Sequence, residues 1–94
     1  MDLKYVYLFD YYGELLTDKQ KEYFKDYYFN NLTLQEIADN NKVSRNAVHK
    51  NIKDILNKLD YYEEKLNLLS NKTKIEKLIE NIDSDLKEKI KELI

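Results

Sequence analysis

Apolar residues recur along this chain at spacings of three and four, a pattern that divides it into a succession of helices. The clearest stretch is Thr33 to Ile55, TLQEIADNNKVSRNAVHKNIKDI, which reads as two short helices joined by a tight turn. Leu34, Ile37 and Ala38 give the first helix one apolar face. Thr33 caps it, because a threonine oxygen accepts from the free N–H groups of a first turn, and Glu36 three residues on completes a capping box. Ser44 caps the second helix, and Val48, Ile52, Ile55, Leu56 and Leu59 form its buried stripe. Ala38 and Ala47 are small enough to let two helices cross closely at a steep angle, the pattern of a helix-turn-helix. The corner departs from the usual apolar residue followed by glycine, since Asn41 and Lys42 stand there. A left-handed backbone at Lys42 costs on the order of 1 kcal/mol relative to glycine. Asn40 or Asn41 could take that conformation instead.

The flanking segments follow the same period. Leu3 to Leu16 is apolar and aromatic nearly all the way round, which predicts a helix buried on more than one side, against its own domain and against a partner. Thr17 caps a second helix with Asp18 in its first turn, where the helix dipole favours negative charge. Tyr23, Phe24, Tyr27 and Tyr28 form its core stripe, and Asn30-Asn31 supply a turn. Past Leu59 the stripe continues through Tyr62, Leu66 and Leu69 without a breaker until Ser70-Asn71. One helix from Arg45 to about Leu69 would be about 37 Å long. Two short amphipathic helices then follow, the first with Ile75, Leu78, Ile79 and Ile82, the second capped by Asp83 or Ser84 with Leu86, Ile90, Leu93 and Ile94. The expected fold is all-α, a helix-turn-helix bundle with a long helix after the turn and short C-terminal helices. Its expected organisation is a domain over residues 1–70 and a helical extension over 71–94.

Composition narrows the chemistry. One glycine and no proline suit an all-helical chain, and the absence of cysteine excludes disulfides, thiol nucleophiles and thiolate metal sites. The single histidine, His49, has no ligand spacing around it, and the carboxylates are scattered over amphipathic surfaces. The expectation is a non-enzyme with no cofactor, no metal and no small-molecule substrate. No apolar run reaches the roughly 18 residues of a membrane span and no signal-peptide layout appears, so a cytoplasmic protein without membrane contact is expected.

Net charge is −2, so contact with a polyanion would need a local patch. Such a patch lies on the second helix of the motif. Arg45, Asn46, His49, Lys50 and Lys53 recur opposite its apolar stripe, and residues 44–59 carry a balance of +3. In a helix-turn-helix this face, above all its first turns, is the one that enters a major groove. Arginine pairs two-pronged with guanine and asparagine with adenine, while lysine mainly meets phosphate. A solvated face is the competing reading of the same charges. Residues 60–94 hold nine acidic residues against seven lysines, which gives that segment no such bias.

Three segments carry a resemblance in order: LFDYYGELLTDKQ, LTLQEIADNNKVSRNAVHKNIKDIL and LDYYEEKL. They resemble the YlxM family of small bacterial proteins, and the core is also similar to the DNA-reading fourth region of sigma factors. The resemblance implies an all-helical fold. Because the genes of that family typically lie beside that of the signal recognition particle GTPase, it also implies an accessory or regulatory role in protein targeting. It carries the helix-turn-helix surface positions over to Arg45, Asn46, His49, Lys50 and Lys53. Three functions follow as expectations. One is a nucleic-acid-binding regulator whose target is DNA or signal recognition particle RNA. Another is a transcription factor, a homodimer presenting two reading helices about 34 Å apart. The last is a protein-interaction module that binds the particle's GTPase.

Overall fold

Thr17, Thr33 and Ser44 each sit in extended backbone and accept a hydrogen bond from the N–H three residues on. At the two threonines the partner also reaches back: Gln20 and Glu36 accept from the cap's own N–H at 2.9 and 3.1 Å. Both are therefore complete capping boxes. The computed structural model describes residues 3–94, so the expected domain start at residue 1 lies outside it. The described residues form six helices and no strand. These are α1 (Leu3–Tyr12), α2 (Asp18–Tyr28), α3 (Leu34–Asn41), α4 (Arg45–Leu66), α5 (Leu68–Leu78) and α6 (Ser84–Leu93), with a 3₁₀ turn at Gly13–Leu15. The fold is the expected all-α helix-turn-helix, with α3 and α4 as its two helices.

α4 is the spine. Val48, Ile52, Ile55 and Leu59 line its inner face, and α1, α2 and α3 all pack on it. They bring Leu8 and Tyr12, Phe24 and Tyr28, and Ile37 and Ala38 into one cluster. Each large side chain removed from water here contributes about 1.5–3 kcal/mol. The aromatic part of this core is layered. Phe24 lies between Phe9 (4.3 Å between ring centres, 6° apart) and Tyr28 (4.4 Å, 10°), and Phe29 meets both phenylalanines edge-on. Gly13 belongs to the same construction, because a Cβ there would come within 3.2 Å of the Phe9 ring.

The structure decides three local expectations. α1 is buried on more than one side, packing on α4 and α5 with Phe9 stacked on Phe24 of α2, while Tyr7 is 56% exposed. Lys42, with φ 56°, takes the left-handed corner after α3, and neither Asn40 nor Asn41 does. Asn41 has other work: its amide donates to the Ile37 carbonyl at 2.7 Å, closing the last turn of α3, and its oxygen accepts from Lys19. The long helix ends at Leu66, about 33 Å from its start. Asn67 there turns left-handed at φ 54°, and Leu68 begins a new helix at once.

That second corner is tied to the bundle by one buried side chain. The Tyr12 hydroxyl donates to Glu63 Oε1 at 2.9 Å and accepts from the Leu68 N–H at 3.0 Å. The same Glu63 oxygen accepts from the Leu69 N–H at 3.2 Å. Beyond it α5 returns along α1, whereas α6 makes no comparable packing with any element. Leu78 and Leu93 are 80% and 85% exposed. The molecule is long, 54 × 25 × 20 Å, with a radius of gyration of 16.8 Å. A compact chain of this length would have one of about 12 Å.

Candidate nucleic-acid interface

The first turns of α4 owe their position to three local devices. Lys42 turns the chain out of α3, Ser44 caps α4 by accepting from the Ala47 N–H at 3.0 Å, and Val48 and Ile52 anchor the helix in the core. Because 3.6 residues make a turn, the side chains opposite that anchored stripe must face outward. Arg45, Asn46, His49, Lys50 and Lys53 are all exposed.

They form two rows, not one. Asn46 and Lys50 point away from the core, and Lys50 has Asp54 at 3.9 Å. Both of those side chains are more than half exposed, so the pair contributes little and leaves the lysine available. Arg45, His49 and Lys53, spaced four residues apart, lie to one side, in a row that faces the end of α2. Arg45 borders one surface groove together with Tyr27, Tyr28 and Leu34. His49 and Lys53 border a second, of about 260 Å³, with the same three residues. The two grooves therefore share one wall beside the flank of α4.

Chemically, the outward row offers an amide and an ammonium group, and the flanking row a guanidinium, an imidazole and a second ammonium group. Such groups donate to phosphate oxygens and to the acceptor edges of bases. All five are exposed, as the helical spacing implies. Tyr27 and Leu34, which that spacing does not place here, reach this flank because α2 and α3 are folded against α4. Tyr27 reads as core by its spacing from Phe24 and Tyr28. That it is a tyrosine, with a polar tip, at the edge of that stripe was the available signal.

No helix among the described residues is long and apolar enough to cross a membrane. The family model for UPF0122, helix-turn-helix proteins like YlxM and p13, matches residues 2–94. Among curated relatives, the chain is similar to a UPF0122 protein of Malacoplasma penetrans, 55% identical over 62 residues, covering 66% of this chain and 58% of that protein. It is also similar to a UPF0122 protein of Listeria innocua, 45% identical over 82 residues, 87% of this chain and 74% of that one. A third, from Shouchella clausii, is 51% identical over 67 residues, 71% of this chain and 62% of that one. The matched part thus spans less than two thirds of the Malacoplasma and Shouchella proteins.

Proposed function

Because the chain belongs to the UPF0122 family of YlxM/p13-like helix-turn-helix proteins, we propose that it is a non-enzymatic nucleic-acid-binding regulator that contacts its target with the first three turns of α4. One observation carries this reading. Arg45, Asn46, His49, Lys50 and Lys53 are all exposed on turns whose other face, Val48 and Ile52, is buried, so the helix is held rigidly with its basic side free. The local +3 balance of residues 44–59, set in a chain of net charge −2, concentrates attraction for phosphate at that end.

The finer part of the proposal is that the protein works in the cytoplasm as an accessory or regulator of the signal recognition particle pathway. Its nucleic acid is then the particle's RNA or DNA, and the particle's GTPase is a further partner. The support is the resemblance carried by the LLTDKQ and VSRNAVHKNIK segments. Self-association into a homodimer belongs to the same reading, and the exposed Leu78, Leu86 and Leu93 of the 71–94 extension support it. The α4 face suits the wide major groove of duplex DNA, whereas the deep, narrow major groove of A-form RNA excludes a helix. Binding to RNA would rest on phosphates, loops and shape.

Fluorescence anisotropy tests this with labelled signal recognition particle RNA and a DNA duplex of equal length, each titrated at low and near-physiological salt. Lys50→Glu combined with Lys53→Glu should weaken binding and flatten the log–log salt dependence by about two. Affinity and salt slope equal to those of the parent would remove this face from the binding site.

A further inference from the structure

Resting on the reading of α4 as the nucleic-acid element, we infer that the groove between α4 and the end of α2 holds an unpaired nucleobase, stacked on Tyr27, with Arg45 and Lys53 on the flanking phosphates. Asn46 and Lys50 face outward, as duplex contacts do. Arg45, His49 and Lys53, however, face sideways, into two grooves whose shared wall is Tyr27, Tyr28 and Leu34. An aromatic wall with cations along one rim is what a single strand requires, since every base has a π-face and every linkage a negative charge.

Three features favour this occupant. The first is charge. No carboxylate lines either groove, while Arg45, His49 and Lys53 all do. The hollow between α1 and α2 mixes Asp10 and Glu14 with Lys21 and Lys25, and the one between α1 and α5 mixes Asp10 and Glu76 with Lys4 and Lys72, so neither is cationic. The second is size. The groove bordered by His49 and Lys53 is about 260 Å³, just short of the roughly 300 Å³ at which sites for drug-sized ligands begin, and the one bordered by Arg45 is about 560 Å³. One planar heterocycle matches the smaller groove, and the wider one has room for an adjoining phosphate at Arg45. The third is rigidity. Tyr27 is half-buried and its ring is held edge-on against Tyr28, 5.3 Å between centres at 76°. Tyr28 is in turn stacked on Phe24, which is fully buried. A platform fixed in this way loses little freedom when a base settles on it. Arg45 and His49 sit four residues apart and Lys53 four further, so the rim follows one side of α4 for about 12 Å.

The test compares a labelled single strand of mixed sequence, as RNA and as DNA, with the same strand annealed to its complement. Anisotropy is read for the parent, Tyr27→Leu and Tyr27→Phe, each checked for fold by circular dichroism. Tyr27→Leu should bind the single strand at least about tenfold more weakly, bind the duplex as the parent does, and leave Tyr27→Phe close to the parent. The RNA and DNA arms show which strand supplies the base. A second readout does not depend on affinity. The chain has no tryptophan, so Tyr27→Trp introduces the single indole, whose emission a stacked base should quench and a duplex should not. Equal single-strand affinity for Tyr27→Leu and the parent, or an indole indifferent to single strands, would overturn the groove. If Lys50→Glu with Lys53→Glu still abolished binding, the broader reading of α4 would stand without it. A parent that binds neither form of nucleic acid would overturn both.

Discussion

Replacing Tyr12 with phenylalanine removes one oxygen atom from a side chain that is 1% exposed, and that atom holds the corner between α4 and α5. Two hydrogen bonds are lost. The one donated to the Glu63 carboxylate has a charged acceptor, a class that contributes about 1.5–3 kcal/mol. The one from the Leu68 N–H is between neutral groups and contributes less, about 0.5–1.5 kcal/mol. Glu63 keeps its bond from Leu69. The expected loss is at least about 2 kcal/mol, or a fall of at least about 1 M in the urea midpoint followed by circular dichroism. Midpoints that coincide would mean the hub adds nothing.

The same substitution carries a pH signature. Burial, and then the neighbouring Glu63 carboxylate, hold the Tyr12 hydroxyl above its ordinary pKa, although the Leu68 N–H opposes them. The folded chain therefore keeps this proton at a pH where the unfolded chain, titrating near 10, has released it. The contribution is complete below about pH 10 and is lost as pH rises through the folded value. The parent should lose stability more steeply than Tyr12→Phe above pH 10, and the two should run parallel from neutral pH up to that point. Parallel curves throughout the alkaline range would refute the burial argument.

Two further stability predictions concern α3 and α4. Val48 is wholly buried, and Val48→Asp should leave the chain unfolded without denaturant, since an unpaired carboxylate in so small a core costs several kcal/mol; a cooperative urea transition at the parental midpoint would contradict this. Lys42→Gly should raise the urea midpoint, by an amount equivalent to about 0.5–1 kcal/mol, because Lys42 holds a left-handed backbone that glycine adopts without strain; a midpoint at or below the parent's would show that the lysine side chain repays that strain.

Helix identities and the core were legible because they depend on period. Val48, Ile52, Ile55 and Leu59 repeat at helical spacing, and the caps Thr17, Thr33 and Ser44 announce where each helix begins. The break after Leu66 was not legible. Leu59, Tyr62, Leu66 and Leu69 keep one phase across it, and Leu69 does pack on the core, but from α5. A side chain can thus reach the same destination by a different backbone path. The corner after α3 stayed open in the sequence for another reason. Asparagine adopts the left-handed region more readily than lysine, yet Asn41 spends its amide on the Ile37 carbonyl inside the helix, and the turn falls to Lys42. Of the candidate interface, the five polar positions could be read from α4 alone. The wall formed by Tyr27 and Leu34 could not, because it exists only through contacts between helices.

α4 contains neither glycine nor proline, so nothing along its 22 residues invites it to hinge. The basic turns occupy one end of this rod and the Tyr12–Glu63 tie the other, with Arg45 and Glu63 about 27 Å apart along the axis. Each residue also advances the helix by about 100° of rotation. The azimuth of the basic face and the direction in which α5 leaves the bundle are therefore registered to each other like two keys cut on one shaft. Adding or removing a single residue between Ile55 and Glu63 would leave both ends chemically unchanged yet rotate one against the other by more than a quarter turn. The length of α4 is thus an angular specification as much as a spacing.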